Sequence, residues 1–162
     1  MRRLTLLAAA LAALASPADA VQQCTSVADQ SAYELLSLRT QMIVLAYKCK
    51  REDDYNKNFV IRFQPALQAN DRAVLAYFRR VYGGAGQGRK DSFTTELVNV
   101  MSQDANLQRG EYCSRATHIL EEMNTLRSAE ELTAYAAVKD MSPTGTTMCV
   151  ASAAPIRSVR RR

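Results

Sequence analysis

Four cysteines, a lone histidine, a glycine-rich hexapeptide and several acidic pairs are the residues of this 162-residue chain with chemistry to offer. Cys24, Cys49, Cys113 and Cys149 fit disulfide bonds if the chain is exported. His118 is the only histidine, so no His-rich zinc site can be assembled. A haem held by Met42 and His118 requires both side chains to face one interior. His118 sits two residues before Leu120, ~200° around a helix at ~100° per residue. It therefore points away from the apolar face, and no Cys-x-x-Cys-His attachment motif is present. Gly83-Gly84-Ala85-Gly86-Gln87-Gly88 lacks the Gly-Lys-Ser/Thr ending of a phosphate loop and follows a helix pattern rather than a strand. It reads as a helix connector that can double as a contact loop.

Hydrolytic chemistry fares no better. There is no Gly-x-Ser-x-Gly elbow. Glu121-Glu122 and Glu130-Glu131 are sequence neighbours on helices, so the members of each pair do not face one another. The sequence thus predicts no enzyme, no metal and no cofactor. Aromatic and arginine residues are more suggestive. Tyr47, Tyr55, Tyr77, Phe78, Tyr82 and Tyr112 fall near helix ends, with Arg62, Arg79 and Arg80 among them. Exposed Tyr and Arg are the types enriched at protein contact surfaces. The expected contact residues are Tyr77, Arg79, Arg80, Tyr82, Gly83, Gly84 and Gly86.

Residues 1–20 have the layout of a secretory signal peptide: Met1-Arg2-Arg3, an apolar Leu/Ala run, a Ser16-Pro17 break and the small-x-small ending Ala18-Asp19-Ala20. The expectation is an exported protein, periplasmic or secreted. Its folded domain then covers 21–149 and a disordered basic tail covers 150–162. The chain has 21 Lys and Arg against 16 Asp and Glu. Arg2, Arg3 and Asp19 lie in the leader, and Arg157, Arg160, Arg161 and Arg162 in the tail, which leaves 15 of each sign between. A body of zero net charge has no basic face for nucleic acid. The four tail arginines allow at most weak contact with a membrane surface.

The elements that carry these residues read as all-α. Ser26 begins helix 1 as an N-cap, with Asp29 three residues on. Ala28, Ser31, Leu35, Leu38, Met42, Leu45 and Cys49 then repeat at three-four spacing. Lys48 to Asn58 is a charged turn. Helix 2 is expected over about Asp54 to Tyr82, kinked or broken at Pro65. Helix 3 is expected from about Asp91 to Gln108, with Phe93, Leu97, Val100, Met101 and Leu107 on its face. Helix 4 follows from about Glu111, and Ser128 to Glu131 is a capping box for a short extra helix reaching about Lys139. The expected architecture is a four-helix up-and-down bundle.

That topology selects among three disulfide pairings. Cys24 and Cys49 flank a helix ~35 Å long, and a bridge needs Cα atoms within ~7 Å. Alternating helices place Cys49 beside Cys113, and Cys24 beside the end that Cys149 reaches. The expected bridges are Cys49–Cys113 and Cys24–Cys149. Functionally, the chain reads as a non-enzymatic accessory, adaptor or chaperone-like binder of another envelope protein. The alternatives are a small-ligand-binding bundle with an apolar pocket near the Pro65 kink, and, last, an enzyme or haem carrier.

Overall fold

The computed structural model describes residues 26–108 and 110–139. The leader, the tail, Cys24 and Cys149 lie outside them. The described residues are almost wholly helical. Five helices have ten or more residues: α1 (Val27–Cys49), α3 (Gln64–Tyr82), α4 (Gly86–Gln108), α5 (Gly110–Thr125) and α6 (Ala129–Val138). The short α2 (Glu52–Tyr55) and one π-helical stretch (Asn56–Ile61) join α1 to α3.

Helix α1 starts where its cap requires. Ser26 accepts the Asp29 amide and Asp29 accepts the Ser26 amide, a reciprocal capping box. Lys50 closes the helix in the left-handed region (φ 57°), with its amide on the Ala46 carbonyl. Arg51 and Asp54 then pair across the charged turn. Helix 2, expected to be kinked or broken at Pro65, is broken in two. The break falls at Phe63 (φ −106°, ψ 16°), and Pro65 sits in the first turn of α3, where a missing amide hydrogen costs nothing.

The glycine-rich stretch departs from expectation. It is ordered: Gly83–Ala85 make one 3-10 turn, and α4 is already under way at Gly86, five residues ahead of the expected start. Gly83 takes a φ of 56° with ψ −130°, a conformation that suits glycine. Gly86 is buried, and a Cβ there would lie 2.7 Å from the Arg79 Cα and N. Contact between two helix backbones overrides the low helix propensity of Gly86 and Gly88. On the expected face of α4, Leu97 is buried and Phe93 and Met101 are half-buried, but Val100 and Leu107 face outward and Ala105 is inside instead. Gly110 is the first residue of α5, one residue ahead of the expected start.

Two apolar clusters flank α1. One joins Leu35, Leu38, Met42 and Leu45 to Phe59, Phe63, Leu67, Leu120, Met123, Leu132 and Ala136. The other joins Ala32, Tyr33 and Leu36 to Val74, Phe78 and Leu97. Helix α3 runs against α1, since Arg80 reaches Asp29 while Asp71 reaches Arg39. Helix α4 runs with α1, since Lys48 reaches Asn106.

The expected four-helix alternation needs correcting at its last member. Cys113, in the first turn of α5, is bonded to Cys49, with Cα atoms 5.5 Å apart. At the other end of α5, the Asn124 carbonyl accepts from Arg62, just ahead of α3. Both ends of α5 are tied to the end of the molecule where α1 stops and α3 begins. It is α6, the piece after Ser128, that packs closely along α1. Ser128 caps α6 by accepting the Glu131 amide. Of the two expected bridges, Cys49–Cys113 is present; Cys24–Cys149 involves residues outside those described.

Two predictions follow from this packing. Gly86→Ala should cost about 1–3 kcal/mol, because the α3 backbone cannot yield as a side chain would. Gly88→Ala meets open space in a helix and should gain up to about 1 kcal/mol; thermal melts of the pair give opposite signs. Replacing Cys49 and Cys113 together by Ser opens a bridge between residues 64 apart. Denaturant titration should show a loss of about 4 kcal/mol on chain-entropy grounds, less any relaxation.

Candidate functional site

The expected contact residues lie at the corner where α3 turns into α4. Their geometry starts from Phe78, which is buried in the second cluster. Tyr33 from α1 meets Tyr77, Phe78 and Phe93 edge-on, at centroid distances of 5.0, 6.2 and 5.5 Å. Burial, followed by the Tyr77 hydroxyl beside it, pushes the Tyr33 phenol well above its ordinary range. Tyr77 is half-buried, so most of its ring belongs to the core cap rather than to a surface.

The outer layer is different. Tyr82 is exposed and stacks on Phe78 at 5.9 Å, and the Arg89 guanidinium lies 5.5 Å from its ring centre. Arg80 lies over Tyr77 and bonds Asp29 at 2.7 Å. Arg79 is exposed, and among the described residues no carboxylate pairs with Arg79 or Arg89. Gly83 and Gly84 are exposed at the turn itself, whereas Gly86 is sealed against α3. The corner thus presents two unpaired guanidiniums around an exposed phenol. Arg89 is a member that the contact list from sequence omitted; its place five residues after Gly84 was the available signal. The corner has no nucleophile with a base beside it. Exposed guanidinium and phenol groups are the kind that pair with carboxylates and stack on aromatic rings.

The remaining sequence candidates are dispersed. Met42 is fully buried, while the His118 side chain is 78% exposed and lies 3.4 Å from Glu121. The structure does not bring that pair to one interior. Glu122 bonds Lys139 and the Tyr135 hydroxyl, and these contacts hold its carboxyl below the usual range. Among the described residues no three potential metal ligands cluster. No described helix is long and apolar enough to cross a membrane. Beside Pro65, the expected apolar pocket is an open trough of about 290 Å³ walled by Ala28, Ser31, Ala66, Ala69, Ala73 and Thr133.

A second cavity, of about 230 Å³, lies between α1, α4 and α5 near the disulfide. Gln41, Leu45, Asp104, Gln108, Tyr112, Arg115 and Ile119 line it. Tyr112 is 7% exposed, and its hydroxyl has no hydrogen-bond partner; nor has the covered Oε1 of Gln108. Burial first, then the charge of Asp104, pushes the Tyr112 phenol up to about 12, against the opposing pull of Arg115. Tyr112 stood out in sequence as one of several tyrosines, but nothing there linked it to Gln41, Asp104 or Arg115, which come from three helices.

Neither a family model, nor a curated protein, nor a solved structure matches the chain.

The link from corner to α1 titrates. Burial works to raise the Asp29 carboxyl, but hydrogen bonds from Ser26 and Arg80 outweigh it, and the net shift is downward. A depressed carboxyl stabilises the fold above its unfolded value of about 4, and that contribution fades as pH falls through the lower folded value. Melting at about pH 6 and about pH 3 should therefore show a smaller acid-induced loss in Asp29→Asn than in the parent. Ser26→Ala should cost about 1 kcal/mol at neutral pH through the lost cap. Arg80→Met should cost under about 1 kcal/mol, its side chain being largely in water.

Proposed function

We propose that this is an exported, non-enzymatic helical protein that acts as an accessory or adaptor, chaperone-like, by holding another envelope protein at its α3–α4 corner. The layout of residues 1–20 supports export. The observation that carries the binding reading is Tyr82, exposed between Phe78 and Arg89, with Arg79 close by in sequence and unpaired. Rigid aromatic and guanidinium groups of this kind supply contact area at low entropic cost. The partner surface suited to them is acidic, with an aromatic or apolar centre. The same reading takes the helices as a bundle with α1 at its centre, and counts Cys24–Cys149 as a second bridge, which leaves the corner on a stiff platform.

The test is capture from envelope extract by the oxidised protein. A partner held by the corner should be lost with Arg79→Glu/Arg89→Glu and with Tyr82→Ser. It should be retained with Lys57→Glu, an exposed charge on a different element. Raising salt to ~0.5 M should weaken capture, since the Debye length falls below ~5 Å. Capture indifferent to all three substitutions and to salt removes the corner as the binding face.

A further inference from the structure

The cavity between α1, α4 and α5 combines features that a packed core avoids. Two polar atoms beside it, Tyr112 Oη and Gln108 Oε1, are covered and without partners. Such groups cost stability unless something satisfies them. Two opposite charges line the same space without forming an ion pair with each other: Asp104 and Arg115. Asp104 uses Oδ2 to accept from Gln108 Nε2 at 2.6 Å, and its other oxygen is free to accept again. No carboxylate holds Arg115 among the described residues. Leu45, fully buried, and Ile119 add an apolar wall. The exposed Asp104 and Arg115 stand at the mouth, and the buried Leu45 and Tyr112 at the floor.

Those requirements define a ligand. An anion alone leaves Asp104 unmatched, and a cation alone leaves Arg115 unmatched. An apolar molecule leaves Tyr112 and Gln108 unpaired. A molecule with a carboxylate, an ammonium group and a short apolar branch satisfies all of them, and a space of about 230 Å³ admits one of that size. We propose that this cavity is a binding site for a free α-amino acid with an apolar side chain. Its carboxylate lies on Arg115, its ammonium group on Asp104, and its side chain on Leu45 and Ile119. The Tyr112 hydroxyl and the Gln108 carbonyl, covered in this structure, turn towards it to supply the remaining donor and acceptor. This site is separate from the α3–α4 corner, and neither proposal depends on the other.

The probe is L-valine, titrated into the full-length oxidised protein and followed by two-dimensional NMR. Saturable shifts should centre on Leu45, Gln108, Tyr112 and Ile119. Acetate and isobutylamine, each carrying one half of the recognition, should bind at least ~10-fold more weakly. Arg115→Gln and Asp104→Asn change exposed side chains and should leave the helical spectrum intact while each weakens valine binding ~10-fold or more. Tyr112→Phe should weaken it by a smaller factor. The Arg79→Glu/Arg89→Glu variant should bind valine as the parent does. The proposal fails if no saturable shift appears by ~10 mM valine, if acetate or isobutylamine matches valine, or if the Arg115 and Asp104 variants bind unchanged.

Discussion

Between Ala32 and Ala46, α1 buries residues on nearly every side: Leu35, Leu38, Met42 and Leu45 towards one cluster, Ala32, Tyr33 and Leu36 towards the other. A helix apolar on two faces cannot rest on a surface. It has to be enclosed, at a gain of ~1.5–3 kcal/mol for each large side chain taken from water. Helices α3 and α4 enclose one side. The π-helical stretch with Phe59, together with Phe63, α5 and α6, encloses the other. Of the two buried polar residues of α1, Ser37 leaves its hydroxyl without a partner, whereas the other meets its need within the helix. Thr40 is buried and satisfies its hydroxyl on the Leu36 carbonyl one turn back, at 2.8 Å.

Enclosure by connected helices sets the two ends of the molecule their separate problems. At one end, α3 must reverse into α4 without losing the cover over Tyr33. The solution is backbone contact, with Gly83 making the turn and Gly86 letting α4 lie on the peptide groups of Arg79. Side chains cannot fill that junction, so Tyr82, Arg79 and Arg89 are directed around it and remain at the surface. At the other end, the bridge from Cys49 to Cys113 holds the start of α5 to the end of α1. The cavity lined by Arg115 and Asp104 lies near that junction.

How far the sequence could disclose this depends on whether a feature is local. The Ser26 and Ser128 caps involve residues three apart and were legible, as was the end of α1 at Cys49. Proline chemistry is local too, and Pro65 marked the boundary of α3. The early start of α4 was not legible, because Gly86, which argues against a helix, is there to admit the α3 backbone at Arg79, a contact across the turn that residue type does not announce. Val100 and Leu107 fitted the helical period, but no neighbour arrives to cover them. The π-helical stretch carries no signature in residue type. The contact corner was partly legible, since Tyr77, Arg79, Arg80 and Tyr82 fall within six residues at one helix end. Its inner members proved to be core, and Asp29 neutralises Arg80 from a helix the pattern did not connect to it. The cavity had no sequence signal, being built from two or three residues on each of three helices.

Corner and cavity are joined by α1 and by α4, the latter with Gly86 as its first residue and Gln108 as its last. At 1.5 Å per residue its 23 residues span ~33 Å. Communication over that length needs an element with two discrete arrangements, each favoured at one site. Helix α4 offers no such alternative: Gly86 is pinned against the α3 backbone at one end, Leu97 is buried midway, and Lys48 holds Asn106 at the other. A helix fixed at three points transmits position but not a switch. On this packing the two proposed surfaces act independently, each built by the local cost of packing around α1.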